Sequence, residues 1–234
     1  MSSHRVEVAI FAIAFAIFGL VAFALAWSGD WAYAALANAT GNTRNTFVVP
    51  VERRDACGQE LHMDLSELLG QHRHWAAYVI GTVGFPPGPA CSLFTADEYA
   101  HMADVRNVFR GAEVAAVLAL AVAAFRLRRA RRDGDALRLV RDGGVVAASG
   151  VAVVGIVAVF AFDQLFLLFH ELFFPQGNFL FDSATSNLLR LYPEWYWQGV
   201  TAGVAVSFIA AALLAAVGTH LALRRAPTKY TRAA

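Results

Sequence analysis

Two histidines stand among acidic residues at the edges of apolar segments. His170 follows a long apolar run, and Asp163 precedes it by seven residues, so a helix would place both side chains on one face. His101 lies between Asp97 and Asp104 at the i, i+4 and i+7 spacing of a second helix face. A carboxylate can hold one ring nitrogen of a histidine while the other nitrogen exchanges a proton. A lone histidine at a helix end is usually structural, so the prediction of acid–base chemistry rests on the two segments together.

The composition places these residues in an integral membrane protein. Of 234 residues, 58% are hydrophobic and 16% are charged, a balance that is too apolar for a soluble domain of this length. The net charge of +1 conceals a local concentration of arginines. That pattern does not form the basic stripe of a nucleic-acid-binding surface, so no nucleic-acid partner is expected.

Four apolar segments can cross a bilayer as helices. They are Val8 to Trp27, Ala112 to Leu127, Val145 to Phe169 and Val200 to Leu223. About 20 residues cross roughly 30 Å of hydrocarbon, and the short second segment can be extended by a helix upstream of it. We therefore predict an all-α integral membrane protein, with one membrane domain over residues 1–234, four transmembrane helices, and extracytoplasmic loops that carry short interfacial helices.

Arginines predict the orientation of these segments. Arg5 precedes the first segment, and arginines follow the second and the fourth, at Arg126, Arg128, Arg129, Arg131, Arg132, Arg224 and Arg225. By the positive-inside rule, both termini and the loop 128–144 are cytoplasmic, while the loops 28–110 and 170–199 are extracytoplasmic. Both highlighted histidines then face outside. The basic start and Ala35-Leu36-Ala37 leave a cleavable leader open as an alternative.

The first outer loop contains signals for a disulfide and for a helix. Cys57 and Cys91 both lie in it, and a bridge between them requires an oxidising compartment. Apolar residues at helical spacing between Leu61 and Gly84 predict a helix in the membrane interface. The sequence Phe85-Pro-Pro-Gly-Pro89 predicts a break after it.

A capping box predicts where the helix of His101 begins. Thr95 is followed by Glu98 at the required spacing, with Phe94 and Tyr99 placed as a hydrophobic staple. A helix that starts at Thr95 places His101 in its second turn, ahead of the second apolar segment.

At these segments the chain resembles a family of bacterial membrane enzymes, the lipoprotein intramolecular transacylases, Lit. The resemblance is carried by Glu98-Tyr-Ala-His-Met-Ala-Asp-Val105, by Phe162 to Phe174, by Phe181-Asp182 and by Leu191-Tyr-Pro193. The family pattern usually has Trp where Phe179 stands and Asp where Ser186 stands.

The resemblance implies an acyltransferase that acts within one substrate molecule. The substrate would be a diacylated bacterial lipoprotein in the cell membrane, whose sn-2 acyl chain moves to the α-amino group of its N-terminal cysteine and leaves a lyso-form lipoprotein. The family's histidine pair matches His101 and His170, and the supporting carboxylates would be Glu98, Asp104, Asp163 and Glu171. No metal or cofactor is implied, and membrane lipids are the other expected partners. The proton role of each histidine and the oligomeric state stay open.

Two other classes of protein remain open from the sequence. A noncatalytic scaffold with four membrane helices would tolerate replacement of both histidines. A metal-binding or haem-binding membrane protein would use the histidines of the outer loops, namely His62, His72, His74, His101 and His170. The spacing of His62, His72 and His74 completes no standard zinc pattern and favours solvated loop positions. His4 and His220 are interpreted as incidental.

Overall fold

The structure, a computed structural model, describes residues 2–51, 54–84 and 93–225. These residues form nine helices and two strands, in the order α1 (Ser2–Trp27), α2 (Asp30–Thr40), β1 (Arg44–Val48), α3 (Arg54–Cys57), β2 (Glu60–Asp64), α4 (Leu65–Val79), α5 (Ala96–Arg132), α6 (Ala136–Phe160), α7 (Phe162–Phe173), α8 (Asn187–Leu191) and α9 (Glu194–Arg225). The break predicted between Phe85 and Pro89 lies outside the described residues.

Four helices of the described residues are apolar and long enough to cross a membrane. They cover His4–Trp27, Ala96–Arg132, Ala136–Phe160 and Glu194–Arg225. The shortest has 24 residues, which at ~1.5 Å per residue gives about 36 Å against a hydrocarbon core of ~30 Å. The predicted all-α integral membrane fold with four membrane helices is confirmed. The second of them begins far upstream of Ala112, as the capping box indicates.

The third apolar segment is interrupted at Ala161. Its backbone leaves the helical region there, with φ −139° and ψ 39°, and α7 starts at the next residue. The sequence from Phe160 to Phe162 contains neither proline nor glycine, so no local signal predicts the break. The segment Val145 to Phe169, predicted as one span, is therefore divided between α6 and the short helix that carries His170.

The described chain divides into two compact units, and the long helices contribute residues to each of them. The first unit contains the chain up to Phe23, Val114–Val157 and the chain from Val204 onward. Small residues bring its helices close, since a Cβ on Gly19 would lie 2.6 Å from the Phe208 ring. Arg126 forms an ion pair with Glu7 at 2.9 Å in the same unit.

The second unit contains Ala24–Glu113 and Ala158–Gly203, and it includes both highlighted histidines. Its core is rich in aromatic side chains, among which Tyr33, Phe47 and Trp75 are fully buried. The apolar residues of α4 point into this core, where Leu68 and Trp75 are buried. Helix α4 begins with a capping box between Asp64 and Glu67. The helix predicted between residues 61 and 84 is thus present, and its apolar face packs in the core.

The second unit also contains a small antiparallel sheet that the sequence does not predict. Strands β1 and β2 pair with Arg44 opposite Asp64 and Val48 opposite Glu60. Only Phe47 and Met63 are buried in them, so the alternation of apolar residues that identifies a strand is almost absent. The carboxamide of Asn187 accepts a hydrogen bond from Val48 N at 2.9 Å and donates to Val48 O at 2.7 Å. One side chain of α8 thereby acts as a strand partner for β1.

Candidate active site

The start of α5 determines the position of His101. Thr95 Oγ1 accepts a hydrogen bond from Glu98 N at 3.3 Å, and Glu98 Oε2 accepts one from Thr95 N at 2.8 Å. These two bonds are the predicted capping box, and they satisfy amide groups that a helix start leaves unpaired. His101 follows in the second turn and is only 6% exposed.

Glu98 also connects α5 to α8. Its other carboxylate oxygen, Oε1, accepts hydrogen bonds from Ser186 Oγ at 2.6 Å and from Leu188 N at 2.7 Å. The side chain is 1% exposed, and three donors occupy it. Ser186 caps α8 by accepting from Leu189 N, a role that Ser and Asp fill about equally well. Glu98 therefore positions the helix of His101, whereas no hydrogen bond in the described residues joins it to the imidazole.

His170 is held in one orientation by its own helix. Its Nδ1 donates a hydrogen bond to the carbonyl of Phe166, one turn earlier, at 2.7 Å. A neutral imidazole that donates from Nδ1 carries its free electron pair on Nε2. Burial lowers the pKa of His170 below its usual value, which favours this neutral form. His170 Nε2 is thus prepared to accept a proton.

The two imidazole rings lie beside each other without a direct hydrogen bond. Their centroids are 6.1 Å apart and their planes differ by 16°. Since a ring nitrogen lies roughly 1.1 Å from its centroid, the nitrogens of the two rings stay at least about 3.9 Å apart, beyond hydrogen-bond range. The buried Nδ1 of His101 has no partner within the described part of the chain. The pair can therefore act on a group that lies between or beside the rings, but not on each other.

Aromatic side chains surround the pair. The His101 ring lies 4.8 Å from the Phe174 ring and 5.5 Å from the Phe181 ring, measured between centroids. The His170 ring lies 4.2 Å from Phe166 and 5.2 Å from Phe179. Such an environment excludes water and strengthens electrostatic interactions within it.

Asp104 holds the segment 176–178, which lies beside the histidines. Its Oδ2 accepts hydrogen bonds from Gln176 Nε2 at 2.7 Å and from Asn178 Nδ2 at 2.6 Å. Asn178 also lies beside the His101 ring, which is within range of the Asp104 charge. Within the described chain Asp104 accepts no hydrogen bond from His101, so its carboxylate holds Gln176 and Asn178 rather than the imidazole.

The other predicted carboxylates lie at the surface of α7. Asp163 and Glu171 are exposed, and neither forms a hydrogen bond or ion pair within residues 2–51, 54–84 and 93–225. The exposed neighbours of Glu171, such as Leu172 and Phe173, give this helix an apolar surface. The structure therefore brings together His101, His170 and Asp104, and leaves Asp163 and Glu171 apart from them.

The remaining outer histidines have separate surroundings. His62 bonds with Thr46 Oγ1 at 2.9 Å, and His74 is exposed on α4. Within the described chain, no three His, Cys, Asp or Glu side chains are grouped as a metal would require. The predicted disulfide between Cys57 and Cys91 involves side chains outside the described residues and stays a prediction.

His72, which the sequence predicts as a solvated loop position, is instead a buried residue of α4, so that prediction is wrong. It is 1% exposed, its Nε2 donates to the Ser28 carbonyl at 3.1 Å, and its Nδ1 accepts from the Tyr192 hydroxyl at 3.2 Å. Its spacing of four residues from Leu68 and three from Trp75 is the signal that could have identified a core position on α4. His72 fixes Tyr192 next to Trp197, whose ring lies 5.9 Å from that of Phe166.

Comparison with known proteins identifies the family. The sequence model described as lipoprotein intramolecular transacylase Lit matches residues 6–197. The chain belongs to the Lit family. The resemblance recognised at the two histidine segments is thereby confirmed, and the chain is an acyltransferase of the lipoprotein intramolecular transacylase class. No curated protein matches the chain in sequence.

Solved structures of a Lit protein share the fold. The in meso structure of the membrane integral lipoprotein intramolecular transacylase Lit from Bacillus cereus has a TM-score of 0.67 at 16% identity, with 95% of each chain covered. A variant of that protein with a histidine replaced by arginine has a TM-score of 0.68 at 16% identity, covering 96% of this chain and 93% of that one. A variant with a histidine replaced by alanine has a TM-score of 0.69 at 13% identity, covering 96% and 95%.

Proposed function

We propose that this Lit protein moves the sn-2 acyl chain of a diacylglyceryl-cysteine to the α-amino group of that cysteine, with His101 and His170 as its acid–base pair. The observation that supports this most is the arrangement of the two rings, 6.1 Å apart within an aromatic enclosure. The product is a lyso-form lipoprotein.

His170 is the better candidate for the base. The bond from its Nδ1 to the Phe166 carbonyl leaves Nε2 free to take a proton from the attacking amine. The reaction forms a C–N bond to the acyl carbon and breaks the ester C–O bond. When the reaction starts from the neutral amine, its proton ends on the released sn-2 glyceryl oxygen, so no proton is gained or lost in the transfer step.

His101 is suited to stabilise the charge that develops on oxygen. Its Nδ1 is buried and has no partner in the described chain, so in this orientation the ring retains an unused polar group beside His170. An N–H directed at a developing oxyanion is worth more in a dry site than in water. These steps require only proton transfer and hydrogen bonding, and no metal or cofactor takes part in them.

The enclosure favours transfer to the amine over hydrolysis. The ester and the amine belong to one substrate molecule, which supplies proximity without help from the protein. The protein then has to hold the substrate in a conformation that brings its ester and amine together, and to exclude water. Phe166, Phe174, Phe179 and Phe181 are placed around the histidines to do both.

We further propose that both termini are cytoplasmic and that the site faces the extracytoplasmic side. The arginines at the end of α5, from Arg126 to Arg132, and those at the end of α9 support this orientation. His101 lies at the opposite end of α5 from these arginines. The acyl chains of a membrane-anchored lipoprotein and the exposed apolar surface of α7 would then meet at one membrane face.

Mass spectrometry of a lipoprotein N-terminal peptide tests the function. Cells that express the chain should show a fragment pattern with the acyl group on the amine, at unchanged total mass. His101→Ala and His170→Ala should each abolish the shift, whereas His62→Ala, in the same unit, should retain it. An unchanged pattern with the unmodified chain would overturn the proposal. A shift that survives both replacements would refute the acid–base role of the two histidines.

A further inference from the structure

Asp104 carries a negative charge with no matching cation around it. Its two hydrogen-bond donors, Gln176 and Asn178, are neutral amides, and both bind the same oxygen, Oδ2. Within the described residues, no Lys, Arg or His lies in ion-pair distance of it. The carboxylate is half-buried and stands one helical turn from His101. A partly desolvated carboxylate in such a place is stabilised when a cation binds it.

Other acidic groups of the second unit do not offer the same site. Glu98 is buried, and its two oxygens already receive three donors. Asp163 and Glu171 are exposed on α7 rather than partly buried. Asp182 accepts a hydrogen bond from Ala184 N and is exposed. Asp104 alone among these described groups combines partial burial, a free oxygen and a place beside the histidine pair.

We propose that Asp104 binds the α-ammonium group of the lipoprotein's N-terminal cysteine and so selects substrates whose amine is free. This inference rests on the proposed function, because the ammonium is the cation at the reacting end of that substrate. An ammonium has three N–H donors. One can bind the free oxygen of Asp104 while another faces His170 Nε2, which takes this proton before attack and releases it to solvent. Nε2 is then free again to take the second proton, from the attacking neutral amine, and that proton passes to the glyceryl oxygen. An N-acylated cysteine has neither the charge nor the donors, and it binds less tightly.

Binding measurements without turnover test this selection. The protein carrying His170→Ala is placed in nanodiscs and titrated with a synthetic diacylglyceryl-cysteinyl peptide, which bears either a free or an acetylated α-amine. The free amine should bind about tenfold more tightly, as expected for a hydrogen bond to a charged group. Adding Asp104→Asn should remove this preference, since the amide oxygen can still accept from Gln176 and Asn178 but has no charge.

Matched variants control for folding and for general charge. Asp97→Asn removes an exposed carboxylate from the same helix and should keep the tenfold preference. Asp104→Glu retains the charge and should keep a preference, and Asp104→Ser provides a second neutral variant in case Asp104→Asn does not fold. A preference that persists in both neutral variants, or equal binding of the two peptides by the parent, would overturn the inference.

The outcome is separable from that of the proposed function. If the unmodified chain produces no acyl shift in the mass-spectrometric assay but binds the free-amine peptide with a preference that depends on Asp104, the proposed reaction is refuted and the ammonium site is retained. An acyl shift combined with equal binding of both peptides would refute the ammonium site alone.

Discussion

The hydrogen bonds of Glu98 predict a large difference between two otherwise similar substitutions. Glu98→Gln retains the shape of the side chain but leaves one acceptor oxygen where there were two. That oxygen can keep the donors Ser186 and Leu188, and the new amide then faces Thr95 N–H. Losing a buried hydrogen bond to a charged group and leaving a donor unpaired costs about 2–4 kcal/mol. The melting temperature should fall by roughly 4 to 16 °C for a chain of this length.

The control is a second capping box on the surface. In α4, the Glu67 carboxylate accepts from Asp64 N at 2.9 Å, and Glu67 is exposed. Glu67→Gln should change the free energy of unfolding by less than about 0.5 kcal/mol, because glutamine also occupies this capping position and water satisfies the rest. Thermal unfolding in detergent, followed by circular dichroism, measures both variants. Equal shifts for the two would refute the reasoning that burial makes Glu98 important.

Two further predictions concern stability. His72 is buried, which lowers its pKa. As the pH falls through about 6.5, the unfolded chain takes up a proton on His72 that the folded chain does not, so the folded state loses stability. His72→Gln removes this group, and the fall in melting temperature between pH 7.5 and 5.5 should become smaller. An unchanged dependence of melting temperature on pH would contradict this. A Cβ on Gly144 would lie 2.9 Å from the Ala212 carbonyl, so Gly144→Ala should destabilise the protein by about 1–3 kcal/mol. The control for chemical denaturation is Gly150→Ala, whose added Cβ would meet nothing within 4 Å and which therefore changes only the helix propensity.

Local sequence signals predict the helix that carries His101, but not the contacts between helices that are distant in the sequence. The capping box of Thr95 and Glu98 is a local signal, and it placed His101 correctly in the second turn of α5. The second role of Glu98 depends on Ser186 and Leu188, which lie 88 and 90 residues further along the chain. Nothing within a few residues of Glu98 indicates that these donors will reach it. The same limit explains why the strand partner role of Asn187 was not foreseen.

The break at Ala161 shows how packing can overrule a local pattern at the site. Gly150 and Gly155 lie in the apolar run Val145 to Phe169, but neither proline nor glycine stands next to Ala161, so the run is expected to continue as one helix there. In a continuous helix, the position of His170 would be determined by the axis of α6. The break instead makes α7 a separate helix, whose Phe166 packs at 5.9 Å from Trp197 of α9 and whose His170 lies beside His101. The proposed acid–base pair therefore depends on a backbone departure next to which Phe166 and Trp197 pack within the second unit. Residues that hold Trp197, including His72 through Tyr192, then contribute to the site without contacting the imidazoles of the pair.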